Sequence, residues 1–327
     1  MHRQWRERTS SPRMWREGWE RVQIGQLGNA VSELSQMLSQ AIVVPFRQRR
    51  PGRPARSGAP GVDGARALGL RGKGQLLLGA GTLSDEQVVS LIHHVGGRHA
   101  RVVVLPVAAY AFPQAGERYR RPLERYGMDR LDTCAVSTRT QADHPDLVAR
   151  VAAADLIVLG GGDSGLMLDT LAGTGVEAAV VSALARGATV CALAAAAEAC
   201  GERVLVRVPH PDAGTRLGPG LNLLPGTAVL AGQRVAGNLA SVFATALSGS
   251  VRLVVLDDRA TLLVRSGWQA EVRAGTVLVV ERPTAANGGD APALGEVVTR
   301  VAPAGWRLDL GAGVVLPPGA AAGASRP

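Results

Sequence analysis

Short apolar runs alternate with helical patterns over residues 74–200. Four runs, Gln75–Leu78, Arg101–Val107, Leu156–Leu159 and Ala188–Leu193, show no apolar–polar alternation, which is typical of strands buried on both faces of a parallel sheet. Right-handed crossovers between them predict an α/β fold, a three-layer doubly wound sandwich. Ser84 is suited to cap the first of the predicted helices. These helices cover Asp85–Val95, Leu147–Ala153, Leu166–Leu171 and Val176–Ala185.

The pattern changes after residue 200. Leu253–Leu256, Ala260–Val264 and Thr276–Val280 are short apolar runs separated by polar turns, which indicates antiparallel strands. Val297–Val301 and Trp306–Leu310 are expected to form a closing hairpin. The sequence therefore predicts an α/β sandwich with antiparallel C-terminal strands.

Residues 187–200 place a short strand directly before a run of small residues with high helix propensity. Strand, tight turn and helix without a spacer is the layout of a nucleophile elbow, which holds a Ser or Cys on a strained turn at the edge of a sheet. The elbow position here is Ala194, whose methyl group cannot attack a substrate. The alternative is that Ala194 belongs to an ordinary packed helix and faces no cleft.

The net positive charge belongs to the N-terminal part of the chain. Residues 1–73 hold 14 of the 36 basic residues and 5 of the 27 acidic residues, so the rest of the chain is balanced and the net charge of +9 lies in this segment. Apart from a helical pattern at 24–44, the segment is rich in Arg, Pro and Gly, which predicts a largely disordered basic extension. Residues 74–317 are predicted to form the α/β domain, and 318–327 a disordered tail.

The arginines of the extension are interleaved with Trp5, Trp15 and Trp19. Clustered Arg with aromatic side chains is the combination that contacts phosphates and stacks on bases. We therefore keep an anionic polymer or a nucleic acid as a candidate partner of this segment. The candidate anion-binding residues are Arg3, Arg6, Arg13, Arg16, Arg47, Arg49, Arg50 and Arg53.

Three cysteines form an odd set without metal-ligand spacing, which favours reduced thiols in a cytoplasmic protein. His93, His94 and His99 lie on a helix and its exit, where adjacent side chains diverge, so no metal site is expected. No apolar run reaches the ~18 residues that span a bilayer, and the N-terminus lacks the apolar core of a signal peptide. We predict a cytoplasmic protein without a membrane span, metal or cofactor, with a small molecule or peptide as its partner, and a homodimer.

A series of motifs runs in order along the chain: Arg101–Pro106, Gly161–Asp163 with Leu171–Thr174, Gly187–Ala197, Gly220–Pro225, Leu256–Thr261, Gly275–Val277 and Ala302–Asp309. Together they resemble the cyanophycinase and peptidase E family of bacterial serine peptidases. Each motif alone is weak evidence for this fold, whereas the ordered set is fairly specific for it. The resemblance implies the flavodoxin-like sandwich of class I glutamine amidotransferases, over about residues 74–317.

The chemical positions depart from the family's pattern. Its elbow Gly-Thr-Ser-Ala-Gly corresponds to Ala192–Ala196, so Ala194 replaces the nucleophile. Its Gly-Gly-Asp-Gln ends here in Ser164, and the His of its Asp-Gln-His falls on Gly232, which removes the general base. Losing nucleophile and base together removes the proton relay that such hydrolysis requires. The acidic partner is not assigned, with Asp212 as a candidate.

The remnant site is expected where the glycine-rich turn meets the elbow. The Gly161 turn and the Ala195 N–H are the expected oxyanion donors. The more usual role for Asp163 is a helix N-cap, and the more usual place for Cys191, on an apolar strand, is the core. The candidate pocket residues are Gly161, Gly162, Asp163, Ser164, Cys191 and Ala195.

Three functions are compatible with the sequence. The favoured one is a pseudoenzyme, a family member that keeps the fold as a binding or scaffolding module. The second is an active hydrolase of acidic peptides or cyanophycin-like substrates, with a nucleophile relocated to Cys191 or Ser164 or with a metal. The third is an anionic-polymer or nucleic-acid binder that acts through the Arg-rich extension.

Overall fold

The computed structural model describes residues 73–107, 114–207, 215–232, 251–281 and 298–318, which all belong to one compact unit of the chain. The helices among them are α1 (Asp85–His94), α2 (Gln114–Arg125), α3 (Arg139–Ala142), α4 (Pro145–Ala153), α5 (Ser164–Leu171), α6 (Gly175–Arg186) and α7 (Ala195–Ala199). The strands are β1 (Gln75–Gly79), β2 (Val102–Leu105), β3 (Leu131–Thr133), β4 (Leu156–Leu159), β5 (Thr189–Leu193), β6 (Gly201–Arg207), β7 (Thr215–Pro219), β8 (Leu224–Ala231), β9 (Arg252–Leu256), β10 (Thr261–Val264), β11 (Gln269–Ala274), β12 (Thr276–Glu281), β13 (Val298–Pro303), β14 (Arg307–Asp309) and β15 (Val314–Leu316).

Parallel strands form the centre of the fold, as predicted. In the order β1-β5-β4-β2-β3 they make up one part of a larger sheet. The register places Leu76 beside Val190, Val190 beside Ile157, and Ile157 beside Val103. All four side chains are at most 4% exposed, because helices cover both faces of this part of the sheet. The doubly wound, flavodoxin-like sandwich is therefore confirmed.

Two apolar clusters occupy the two faces of this sheet. On one face, Leu77, Val104 and Val158 pack with side chains of α1 and α2. On the other face the neighbouring positions pack with α4, α5 and α6, and this cluster continues into β8, β9 and β12. Alternate side chains of one strand point to opposite faces, so each central strand contributes to both clusters.

Antiparallel strands in the C-terminal part are confirmed, but their predicted pairing is wrong. The described strands form two sheets, of nine strands (β15-β14-β11-β10-β1-β5-β4-β2-β3) and six strands (β13-β12-β9-β8-β6-β7). Strand β10 adds to β1 of the first sheet, while β9 pairs with β12 and β8 of the second. The expected hairpin of β13 and β14 does not form, because β13 pairs with β12 and β14 pairs with β11 and β15.

Local sequence signals set several element ends. Ser84 accepts a hydrogen bond from the Gln87 N–H, and the Gln87 side chain accepts one from the Ser84 N–H, a capping box at the start of α1. Gly187 ends α6 with φ 120°, a conformation that favours glycine. Among the described residues no single helix has the length and apolarity to cross a membrane, although α5 and α6, bent by 95° at their junction, meet that criterion as a pair.

Candidate functional site

The strand–turn–helix at Ala194 has the backbone of a nucleophile elbow. Ala194 lies between β5 and α7 with φ 51° and ψ −119°, a left-handed conformation that costs a non-glycine residue about 1–2 kcal/mol. Its N–H donates to the Gly79 carbonyl at 2.7 Å, which helps to hold the turn. Every residue of 188–200 is buried except Ala194, which is partly exposed. The turn therefore presents to solvent a side chain that carries no reactive group.

The glycine-rich turn after β4 packs directly on the elbow. A Cβ at Gly161 would lie 2.6 Å from the Leu193 carbonyl oxygen and 2.7 Å from the Ala194 Cβ. These distances are below any normal contact between such atoms, so only glycine fits here. This close approach brings the turn and the elbow together.

The Gly161 N–H is engaged by a tyrosine, which corrects its expected role as an oxyanion donor. It donates to the Tyr119 hydroxyl at 2.8 Å, and that hydroxyl lies 3.5 Å from the Gly161 carbonyl. Burial raises the pKa of Tyr119, so its hydroxyl stays neutral and able to accept from an amide. An oxyanion would have to displace Tyr119 to reach this donor.

The residues that follow Gly161 have structural positions. Asp163 is the N-cap of α5, and its Oδ1 accepts from the Leu166 N–H at 2.9 Å. Ser164 begins that helix and is only 3% exposed, while Gly162 is exposed. The N-cap interpretation of Asp163 is therefore confirmed, and Ser164 does not offer an accessible hydroxyl.

Cys191, a candidate pocket residue and relocated nucleophile, lies instead in the core. It occupies the middle of β5 with 0% exposure, packed between the strands β1 and β4. Burial raises the pKa of its thiol to about 12. The thiolate is the nucleophilic form of cysteine, so at neutral pH this group has neither the charge nor the access that attack on a substrate requires.

The position of the missing base faces an aspartate that the sequence did not indicate. Gly232 follows β8 with φ 69°, and a Cβ there would lie 3.1 Å from the Ala80 carbonyl oxygen and 3.6 Å from Asp258 Oδ1. A Cβ at Gly81 would lie 3.7 Å from the Asp258 carbonyl oxygen. The exit of β1 thus contacts both Ala194 and the Gly232–Asp258 pair. A side chain at 232 would stand beside an exposed carboxylate.

Glu198, on α7 behind the elbow, is 2% exposed. One carboxylate oxygen, Oε1, accepts from the Ala231 N–H at 3.4 Å, which ties α7 to the end of β8. Helix α7 contacts β5, β6 and β8, so it connects the two sheets at the elbow. Glu198 is therefore a paired, buried side chain of this junction.

Asp258 and Tyr119 are the residues of this region that sequence reasoning missed. Asp258 lies in the motif Leu256–Thr261, which was assigned only to the fold, and Tyr119 lies on α2, for which no element was predicted. The arginines proposed for anion binding and the candidate acid Asp212 lie outside the described residues. Within the described ranges, no group of three or more His, Cys, Asp or Glu side chains is placed to hold a metal ion.

The fold and the turn at Ala194 define an α/β protein built around a nucleophile elbow. Residues 75–229 match the model of peptidase family S51. This range is just under half of the chain, and its similarity to family S51 agrees with the resemblance to peptidase E- and cyanophycinase-like proteins that the motifs indicated. The matched range contains Gly161 and Ala194 and ends before Gly232 and Asp258.

Solved structures that are similar to this chain include two peptidase-like proteins. A peptidase from an acI-B1 Actinobacterium superposes with a TM-score of 0.59 at 19% identity, over 73% of this chain and 98% of that one. A peptidase E candidate from Listeria monocytogenes EGD-e gives a TM-score of 0.44 at 14% identity, over 61% of this chain and 96% of that one. The first similarity shows the shared fold. No curated protein matches this chain.

Proposed function

We propose that this protein is a non-catalytic member of its peptidase family, which keeps the fold as a binding or scaffolding module. One observation carries the proposal: the partly exposed residue of the elbow is Ala194, in the strained conformation that normally presents a nucleophile. The turn and its access to solvent are kept, while the reactive group is absent. A bound ligand at this position would contact a methyl group and would not be attacked.

The lack of a base supports the same proposal. Hydrolysis through a covalent intermediate needs a nucleophile and a base within about 3 Å of its proton. Position 232 is glycine, so no side chain there can take a proton, and Asp258 is left without the group that it would orient. Binding and oxyanion stabilisation alone give only ~10³ to 10⁴ over water, which is too slow to detect for a peptide bond.

The alternative hydrolase has less support. Its two candidate nucleophiles, Cys191 and Ser164, are 0% and 3% exposed.

The nucleic-acid or anionic-polymer binder depends on residues 1–73, and stays a prediction. Comparing affinity for a polyanion with and without residues 1–73 tests it, since binding through phosphates falls steeply with salt. Several other expectations also stay predictions: a small-molecule or peptide partner, a homodimer, a cytoplasmic location, a bacterial origin, and the absence of a cofactor and a metal.

The test of the proposal compares wild type with Ala194→Ser and with Ala194→Ser/Gly232→His, using β-aspartyl-arginine polymer and Asp-X dipeptides. We expect no turnover by the wild type and a gain in the double variant. His tolerates left-handed backbone better than most residues, and thermal unfolding of each variant reports whether the fold is kept.

A third variant shows whether the gain comes from this site. Adding Asp258→Asn to the double variant should remove the gained activity, while Asp169→Asn, on the exposed side of α5, should leave it unchanged. Turnover by the wild type that survives Cys191→Ala and metal chelation would overturn the proposal. Wild-type turnover that is lost in Cys191→Ala would establish a relocated nucleophile instead.

A further inference from the structure

A second concave surface lies away from the elbow, between α1 and the strands β10 and β11. It is a groove of ≈240 Å³, just below the ~300–1,000 Å³ of typical small-molecule sites. Ser84, Gln87, Leu91 and His94 form one wall at intervals of three or four along α1. None of Gly161, Ala194, Gly232 and Asp258 lines it. The groove is therefore separate from the remnant site.

The floor of the groove is apolar. Leu77 of β1 and Leu263 of β10 are register partners on adjacent strands, and Leu91 of α1 packs over them. Each is less than 9% exposed, so their surface is shielded from bulk water except through the groove. Hydroxyl groups of Ser90 and Thr261 stand at its sides. Polar residues make up most of the rest of the lining, among them Glu86 and Arg273. An apolar floor beside polar groups suits a small amphipathic molecule.

The second wall carries more positive than negative charge. Arg265 Nη1 and Arg273 Nη2 lie 3.1 and 3.2 Å from the same oxygen, Oε2 of Glu271. Arg307 of β14 is the register partner of Glu271, so a third guanidinium shares this part of the sheet. Glu271 balances one of the two charges of Arg265 and Arg273. Arg273 lines the groove itself, with 36% of its side chain exposed.

Two further groups bear on this charge. Glu86, on the α1 wall, lies in the first turn of that helix, where the helix dipole favours a carboxylate. The His94 ring lies beside Gln75 at the other end of α1. Its pKa is lowered by partial burial and by Arg265 and Arg273, against an opposing effect of Glu271. Partial burial is thus the main cause that favours neutral His94, and the positive charges of Arg265 and Arg273 add to it.

We propose that this groove binds a small organic anion with an apolar body. Its carboxylate would pair with Arg273, which offers the guanidinium geometry that matches a carboxylate. Its apolar part would cover Leu77, Leu91 and Leu263. This proposal concerns a second site and does not depend on the loss of catalysis at Ala194.

The first experiment compares three probes of equal chain length, octanoate, octan-1-ol and octylamine, on the full chain. Isothermal titration calorimetry should show octanoate binding at least about tenfold more tightly than octanol, since a charge-assisted hydrogen bond is worth about 1.5 kcal/mol or more. Octylamine should not bind. Equal binding of octanoate and octanol would overturn the proposal, because it would show apolar partitioning without recognition of the anion.

The second experiment locates the site with matched variants. Arg273→Gln should weaken octanoate binding about tenfold, while Arg130→Gln, which removes an exposed charge beside β3, should not. Ser90→Trp, which fills the groove, should abolish binding, whereas Val89→Trp, next to it on α1 but outside the lining, should leave it unchanged. Binding that is equal in Arg273→Gln and Arg130→Gln, or that survives Ser90→Trp, would overturn the proposal.

His94 supplies a readout that reports the charge directly. A carboxylate bound at Arg273 offsets the positive field, so saturating octanoate should raise the pKa of His94 in an NMR pH titration, with His94→Gln used to assign its resonance. An unchanged His94 titration at saturating octanoate would show that the anion binds elsewhere and would also overturn the proposal.

Discussion

Cys191 and Ala194 lie three residues apart and combine chemical reactivity and access to solvent in opposite ways. The elbow at Ala194 has access to solvent but no reactive group, whereas the core of β5 has the Cys191 thiol, with 0% exposure. The cause is the fold: both faces of β5 are covered, and the chain meets solvent only where it turns at the edge of the sheet. A nucleophile in this segment would therefore be accessible at residue 194 and at no other position of 188–200.

The turn itself can be tested through Gly161, for which we expect the largest effect. In Gly161→Ala the new methyl would overlap the Leu193 carbonyl oxygen, 2.6 Å away, and the Ala194 Cβ. Neither atom can move without disturbing the elbow, so the free energy of unfolding should fall by about 3 kcal/mol. The control is Gly81→Ala, whose new methyl would lie no closer than 3.7 Å to any atom outside the adjacent residues; it should cost less than about 0.5 kcal/mol. Urea unfolding measures both, and equal costs would contradict the close approach.

The burial of cysteine thiols in the core predicts a loss of stability at alkaline pH. Burial raises the pKa of Cys191 to about 12, and that of Cys200 is raised as well. In the unfolded chain these thiols lose their protons near pH ~8.5, while the folded protein keeps them. Their contribution is therefore complete below that pH and is lost as the pH rises above it, by about 2 kcal/mol between pH 9 and 10.

Urea unfolding between pH 7 and 10 checks this dependence. The double variant Cys191→Ala/Cys200→Ala should be less stable at pH 7, because it leaves cavities, but its stability should fall less between pH 9 and 10. The same fall in wild type and double variant would show that other groups cause it. Native Cys191 should also resist alkylation at pH 8.

A smaller effect is expected from the tyrosine that engages the Gly161 N–H. Tyr119→Phe removes the acceptor at 2.8 Å and leaves this part-buried donor without its partner, which should cost about 1.5 kcal/mol. Tyr126→Phe is the matched control, since its ring follows α2 and is partly exposed; it should cost less than about 0.5 kcal/mol. Thermal unfolding compares the two. A Tyr119→Phe protein as stable as Tyr126→Phe would show that the Gly161 N–H finds another partner.

The smallest effect distinguishes the turn from the helix that follows it. Ala194→Gly relieves the left-handed backbone and should raise the free energy of unfolding by about 1 kcal/mol. Ala197→Gly, the same change inside α7, should lower it by about 1 kcal/mol. Opposite signs for one chemical change are the expected result in urea unfolding. A loss of stability in both variants would contradict the strained turn at Ala194.

The parallel core could be predicted because its strands are buried on both faces and therefore appear as continuous apolar runs, such as Leu156–Leu159. Because of the same property, the division of the strands between two sheets could not be predicted. Strands β9 and β10 have equally apolar sequences, and only tertiary packing decides that β10 pairs with β1 while β9 pairs with β12.

The candidate site also has one part that could be predicted from the sequence and another part that could not. The turn at Ala194 could be predicted because strand and helix follow each other without a spacer, a local pattern. The role of Asp258 could not be predicted in this way. It lies near Gly232 because the ends of β1, β8 and β9 meet in the fold. Tyr119 was missed because its contact with Gly161 joins residues 42 positions apart.

The strand order has a consequence for any attempt to dissect the protein. Along the described strands the chain builds β1–β5 in one sheet, β6–β9 in the other, and then returns twice to the first with β10–β11 and β14–β15. The segment that matches the family model ends at residue 229, inside β8, and so is not an independent folding unit. A fragment cut there would lose β10 and leave the backbone of β1 as an open edge, which in solution is a template for aggregation.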